Sequence, residues 1–370
     1  MTPAELSSLG SQVLWAAFLI GIAFGALVQR TGFCTMGAVS DAVALGDTTR
    51  LRQWALASAV ATLGFALFAR AGWLAAPQTL YASTRWLWLS ATVGGAAFGF
   101  GMVLASGCLS KTLVRLGAGN LKALVVAVVA GVAAFATLKG LTAVWRTQTV
   151  DRVALELGAN ADAATLLARW TGLPAGDAAL AAGCVAGLLL GGWALASRPA
   201  REPLQLLGGL GVGALVLAMW WTTGHLGHLA EHPLTLEESW LATNSGRAEG
   251  LSFVAPIAYG LDWLMFYSDA SKRLTAGIAA AAGVVLGACA MAVLQRRFRW
   301  EGFGGTSDLA HHLGGAVLMG VGGVTALGCS IGQGVTGVST LSLTSLVAVA
   351  AMLAGAVLGV KYQAWRIERG

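Results

Sequence analysis

Apolar runs of about 17 to 24 residues recur along the chain, at 13–29, 54–70, 87–106, 121–144, 178–196, 204–222, 275–294, 309–327 and 341–360. A helix needs about 20 residues to cross the hydrocarbon core of a bilayer. The pattern therefore predicts nine crossings. Four intervening segments, 32–45, 107–116, 245–263 and 328–339, are too short or too polar to cross. Each half then reads as span, short segment, two spans, short segment, span, with 178–196 joining the halves. The prediction is an all-α polytopic membrane protein with about nine transmembrane helices and four short re-entrant ones. Its first repeat, with a connector, occupies 1–177, a linking helix and loop 178–203, and a second repeat 204–370.

The repeat is visible in the letters. GGAAFGFGMVLASGCLSKTLVRLG at 94–117 and GGAVLMGVGGVTALGCSIGQGVTGVS at 314–339 share a Gly-Gly start, a glycine-rich apolar stretch, a Gly-Cys pair and a polar, Thr-containing end. LVVAV and LVAVA follow them. An odd number of spans joining the halves makes the repeats inverted, so their short segments dip in from opposite faces. Charge agrees with this arrangement. Arg50 and Arg52, Lys111, Arg115 and Lys122, Arg198 and Arg201, Arg296, Arg297 and Arg299, and the tail with Lys361, Arg366 and Arg369 all fall on one face. The positive-inside rule makes that face cytoplasmic. The expected setting is the bacterial inner membrane, with the N-terminus periplasmic and the C-terminus cytoplasmic. The acid-richer 145–177 connector lies on the outer face.

Composition narrows the class. With 56% hydrophobic and 11% charged residues, the chain is far below the roughly 25% charge of a soluble domain. Its net charge of +6 is scattered among spans rather than gathered on a soluble face, which argues against nucleic acid. No basic segment precedes the first apolar run, so no removable signal is expected. Five cysteines without a CxxC pair argue against a disulfide scaffold, a structural zinc site or a dithiol enzyme.

Broken backbone at membrane depth is tolerated where protein or a water-lined cavity satisfies it, so four such breaks mark a pathway. Each is followed by a short helix whose free N–H groups and dipole favour an anion. Three of the four starts carry a cysteine after a glycine-marked break: Cys34 after Gly32, Cys108 after Gly107, and Cys329 after Gly328. Position 33 is excluded from the glycine set, because Phe33 and not a glycine stands directly before Cys34. Thr35, Ser110, Thr112, Ser330 and Gln333 follow closely and are candidate donors to oxygens. Arg247 occupies the fourth dip, either to attract an anion or to pair with Glu249 or a lipid phosphate. The bland alternative is that Gly-Cys is small-residue packing. That reading is preferred for Cys184 and Cys289, which lie inside unbroken spans.

The combination of GFCTMGA, ASGCLSKTLVRLG and LGCSIGQGVTGVS on this repeat plan resembles the YeeE/YedE family of bacterial inner-membrane proteins, whose characterised members take up thiosulfate. The resemblance covers nearly the whole chain, apart from the long connector. It implies an hourglass-shaped permease in which Cys34, Cys108 and Cys329 pass thiosulfate along by S–H···S hydrogen bonds. It also implies a small TusA-like sulfur carrier as a cytoplasmic partner. Rivals are a selenium or organosulfur substrate, and a membrane thiol enzyme.

Other motifs add little. His225, His228 and His232 have helical spacing, yet no acid or cysteine completes a metal set, and neither metal nor cofactor is expected. His311 and His312 open a span at the interface. GGLGVG at 208–213 lacks the preceding strand a dinucleotide fingerprint needs and reads as close helix packing. Lys111 and Arg115 either anchor the chain in the cytoplasmic face or draw an anion to that mouth.

Overall fold

The computed structural model describes residues 3–233 and 235–369. Its helices are α1 (Pro3–Thr31), α2 (Thr35–Ala44), α3 (Thr49–Arg70), α4 (Trp88–Leu104), α5 (Leu109–Gly117), α6 (Leu121–Lys139), α7 (Leu141–Gln148), α8 (Ala163–Thr171), α9 (Ala175–Leu195), α10 (Pro203–Trp221), α11 (Val254–Met265), α12 (Ala276–Leu294), α13 (Thr306–Thr325) and α14 (Leu343–Arg369). A π-helical turn, Gly332–Gly337, forms the heart of the last short segment. The protein is an all-α polytopic membrane protein. Among the described residues, eight helices are long and apolar enough to cross a membrane. α13, the remaining expected span, is 20 residues long and opens on Thr-Ser-Asp before His311 and His312.

Several boundaries move from those expected. α1 begins ten residues before its apolar run because Pro3 and Glu5 suit a first helical turn. The expected span to residue 144 ends at Lys139, since Gly140 breaks the backbone and α7 starts anew. α14 continues through the basic tail to Arg369. The histidine spacing is not a helical stripe: a π turn ends the helix at Leu226, and His228 enters a two-residue strand paired with Trp240. His225 stacks on Trp73, His228 bonds Glu238 at 2.8 Å, and no group of metal-binding side chains forms among the described residues.

Packing follows a regular scheme. α1 packs on α12 and α10 on α3; α4 packs on α14 and α13 on α6; α4 and α13 pack on each other, as do α1 and α10. α5 lies against α12 and α6, while the π turn lies against α3 and α14; α2 lies against α3 and α14, while α11 lies against α12 and α6. Exchanging first-half for second-half elements in chain order maps this set onto itself. Small residues make the close crossings. A Cβ on Gly94 or Gly101 would meet the backbone of α13 at Gly322 or Gly315, and a Cβ on Gly322 or Gly315 would meet α4 in return. The Gly208–Gly213 stretch packs in the same way, against Gln53, Leu56 and Val60 of α3.

The connector is ordered and local. Arg85 and Trp86 pair with Glu156 and Leu155, and Asp162 caps α8 through Thr165 N at 2.8 Å. Ala163 N donates to Leu341 O at 3.0 Å and Leu343 N to Ala161 O at 2.9 Å. The connector thus straps down the chain where the last short segment turns into α14.

Candidate substrate path at three helix breaks

The three Cys-bearing breaks share one backbone device. A residue in the left-handed region stands two positions before each cysteine: Gly32 at φ +69°, Ser106 at +58° and Leu327 at +61°. At the second and third, the following glycine amide reaches back to the last helical turn, Gly107 N to Met102 O at 2.8 Å and Gly328 N to Gly323 O at 2.7 Å. That closure ends a helix with its carbonyls satisfied. Ser106 and Leu327 carry a conformation that costs a non-glycine residue roughly 1–2 kcal/mol. The chain thus stops α4 and α13 abruptly and starts a new helix at the cysteine.

The first break differs in the residue between turn and thiol. Position 33 holds no glycine: Phe33 takes the place that Gly107 and Gly328 take before the other two cysteines. Its ring is buried, at 3% exposure, in the main apolar core. Here the glycine sits at the left-handed position itself, Gly32, which leaves position 33 free to carry a large apolar side chain. Phe33 is therefore a packing residue that anchors the break, and the glycine directly before the cysteine is a feature of two breaks rather than three.

Each cysteine then opens its helix. Cys34 Sγ accepts from Gly37 N at 3.4 Å, and Cys329 Sγ accepts from Gly332 N at the same distance. Both thiols are N-caps. Cys108 makes no cap, and its sulfur lies 3.2 Å from the Ser110 hydroxyl. Cys108 and Cys329 are buried, at 1% and 0% exposure, and Cys34 is half-buried. Cys108 lies within electrostatic reach of both Cys34 and Cys329. Cys184 and Cys289 lie in α9 and α12, away from the breaks.

Apart from Ser110, whose hydroxyl meets the Cys108 sulfur, the candidate oxygen donors separate into two groups. Thr112 Oγ1 donates to Cys108 O at 3.1 Å, and Gln333 Nε2 to Ala326 O at 2.5 Å. These two are committed to backbone carbonyls, Thr112 sharing the Cys108 carbonyl with its own amide at 2.8 Å, and the Gln333 oxygen left over has no hydrogen to offer. Thr35 Oγ1 and Ser330 Oγ are buried with no partner among the described residues. Each immediately follows a capping cysteine. A buried hydroxyl without a partner costs about 1–3 kcal/mol.

Arg247 does not reach the fourth helix start. It lies seven residues before Val254 in an exposed loop, where Nη1 donates to Ala82 O at 3.0 Å, and Glu249 is not its ion-pair partner. The short helix α11 instead begins after Ser252 and Phe253. A Cβ on Gly332 would strike the Ser252 hydroxyl, so this fourth start abuts the Cys329 helix. Tyr81, buried, donates to Gly332 O and interacts electrostatically with Cys329. Beside the Gly328 break lies a cavity of about 150 Å³ whose polar lining includes Tyr81, Arg146, Asn244, Glu249, Ser252 and Tyr259. Sequence reasoning named Glu249 only as a partner for Arg247 and missed the others, because they come from separate loops and from α7 and α11 with no shared periodic signal. At the other pair of breaks, Lys111 interacts electrostatically with Cys34 and Cys108, and the Arg50 guanidinium lies over Gly37 while pairing with Asp41 at 3.3 Å.

The sequence profile of a family described as sulphur transport matches residues 30–358. Among its relatives, the thiosulfate transporter TsuA of Escherichia coli strain K12 is 25% identical over 364 residues, covering 96% of this chain and 95% of that protein. TsuA of Spirochaeta thermophila is 25% identical over 348 residues, covering 91% and 94%. The probable transporter YedE of Escherichia coli strain K12 is 30% identical over 112 residues, which is 30% of this chain and 26% of that one.

Proposed function

This chain belongs to the sulphur-transport family, and from that premise we propose that it imports thiosulfate, or a close inorganic sulfur anion, through a central path on which Cys34, Cys108 and Cys329 meet the substrate in turn. It is a transporter of sulfur compounds and not an enzyme. The observation that carries the finer reading is the threefold use of a left-handed residue two positions before the thiol to present it at a helix start, buried at Cys108 and Cys329 and half-buried at Cys34. Thiosulfate has a soft terminal sulfur and hard oxygens. Thiols suit the first through S–H···S contacts, while helix-start amides and the hydroxyls of Thr35 and Ser330 suit the second. Sulfate lacks the soft end, so the thiols give selectivity that charge alone does not. Passage needs several weak sites rather than one tight one, and three thiols in series supply them.

The self-mapping packing scheme supports two inverted repeats meeting at this path, with 178–203 as their link. The cationic loops support a cytoplasmic face in the bacterial inner membrane, with Lys111, Arg115 and Arg50 near the inner mouth. A soluble TusA-like sulfur carrier is the receiving partner we propose at that face.

The test is labelled thiosulfate uptake in sulfur-auxotrophic cells, with growth on a panel of sole sulfur sources to name the substrate. Serine at 34, 108 or 329 keeps size but replaces a soft sulfur by a harder hydroxyl, and each change is expected to reduce uptake at least tenfold at equal membrane abundance. Alanine at 184 or 289 is expected to leave uptake intact. Full uptake in the three serine variants, or equal competition by sulfate, sinks the thiol path.

A further inference from the structure

The two ends of the proposed path differ in sign. At the inner breaks Lys111 and Arg50 approach the thiols. The cavity beside Gly328 carries instead the carboxylate of Glu249, an odd neighbour for a dianion. The charged groups in its lining are Arg146 and Glu249, and Arg146 is already held by Asp151 at 3.4 Å. No cation lies within ion-pair distance of Glu249 among the described residues. Its Oε1 accepts from Asn244 N at 2.9 Å and Ser245 N at 2.7 Å, bonds that stitch the 244–249 loop.

The groups facing it from neighbouring elements add no positive charge. Tyr81, from the loop after α3, and Tyr259, from α11, interact with it electrostatically. Thr223, from the π turn after α10, donates to the Glu249 carbonyl oxygen at 2.7 Å. Arg247, on the same loop, turns away to Ala82. Desolvation in this loop between the spanning helices holds the Glu249 carboxyl above the usual carboxylate range.

We propose that Glu249 is a proton-operated gate in the outer vestibule, so that the sulfur dianion occupies the cavity when Glu249 is protonated and is turned away when it is ionised. The inference rests on the import reading above. Glu249 takes its proton from the outer solution and returns it there once the anion has moved inward, so no net proton crosses. The ionised gate also opposes return of the anion outward, which gives the path a direction that three similar thiols do not.

The experiment measures thiosulfate uptake into vesicles between about pH 5.5 and 8, where the substrate stays a dianion. Wild-type uptake is expected to fall toward about tenfold per pH unit on the alkaline side of the gate's midpoint. Glu249→Gln keeps an oxygen for the two loop amides but cannot ionise. It is expected to carry thiosulfate at alkaline pH at the rate the wild type reaches in acid, and to lose the pH slope. Equal slopes in the two proteins overturn the gate, as does a flat wild-type profile. Infrared difference spectra of the purified proteins over the same range give a readout independent of substrate. A protonated-carboxyl band absent from Glu249→Gln should appear in the wild type with a midpoint matching uptake. Its absence throughout overturns the gate, whereas a titrating band without any thiosulfate uptake overturns the substrate reading alone.

Discussion

Thr35 and Ser330 are buried hydroxyls with no partner among the described residues, whereas Thr112, equally buried, bonds a carbonyl. That difference predicts opposite mutant signatures. Thr35→Val and Ser330→Ala remove an unpartnered group, so thermal stability in detergent should hold or rise. A lost hydrogen bond to an anion is worth about 1.5–3 kcal/mol, so KM for thiosulfate should rise about tenfold or more. Thr112→Val should instead cost about 1 kcal/mol of stability with a smaller effect on KM. Unchanged KM in the first two variants would remove the hydroxyls from the path. This division was not legible in the sequence, where all three residues are small hydroxyls close behind a cysteine. The breaks at Cys108 and Cys329 were legible because polar residues follow the Gly-Cys pair, Ser110, Lys111 and Thr112 in one and Ser330 and Gln333 in the other, whereas Gly183-Cys184, followed by apolar residues, stays inside α9. Arg247 and Glu249 show the limit. Two residues apart in one polar loop, they look equivalent in one dimension, yet the fold sends Arg247 to the surface and lines the cavity with Glu249.

Helices here meet through glycine, and the elements were readable because their apolar lengths matched a bilayer. Boundaries were less so. Gly140 ended α6 five residues early, and a proline-led polar turn started α1 early; neither alters the apolar pattern. The crossings make a test of packing against mere hydrophobicity. A Cβ at Gly287 would run into the backbone of Ile22 in α1, and one at Gly322 into that of Gly94 and Phe98 in α4. At Gly192 of α9 no atom lies within 4 Å of that point. Leucine raises hydropathy equally at all three. Gly287→Leu and Gly322→Leu should therefore lose folded, monodisperse protein, since overpacking a tight contact typically costs about 1–3 kcal/mol and backbone cannot yield as a side chain does. Gly192→Leu should be purified at wild-type yield. Equal yields for all three, measured by size exclusion after mild detergent extraction, would show that α4, α13, α1 and α12 do not need this closeness.

For the whole molecule the count of crossings decides which way each end faces, and α13 decides the count. By hydropathy eight helices qualify among the described residues, and α13, opening on polar residues, is not one of them. An even count puts both termini on one face, and an odd count puts them on opposite faces. Hydropathy thresholds describe helices that must satisfy lipid, and α13 has little lipid to satisfy. His312, Gly315, Ala316, Met319, Gly320, Gly322, Gly323, Val324 and Thr325 are buried, and it packs on both α4 and α6. Its polar start is also provided for, since Asp308 meets Lys122 at 2.8 Å and His312 at 3.0 Å. A helix surrounded by protein crosses with fewer apolar residues than one facing acyl chains. The prediction is nine crossings, with the C-terminus cytoplasmic beside the basic residues Lys361, Arg366 and Arg369, and the N-terminus periplasmic. Topology reporters fused at the two ends, beyond the described residues, should give opposite signals, with the cytoplasmic reporter active at the C-terminal end. A cytoplasmic signal from both ends would mean that α13 does not cross. The Cys329 break would then open toward the same face as the Cys34 and Cys108 breaks, and a path from one side of the membrane to the other could not run through all three.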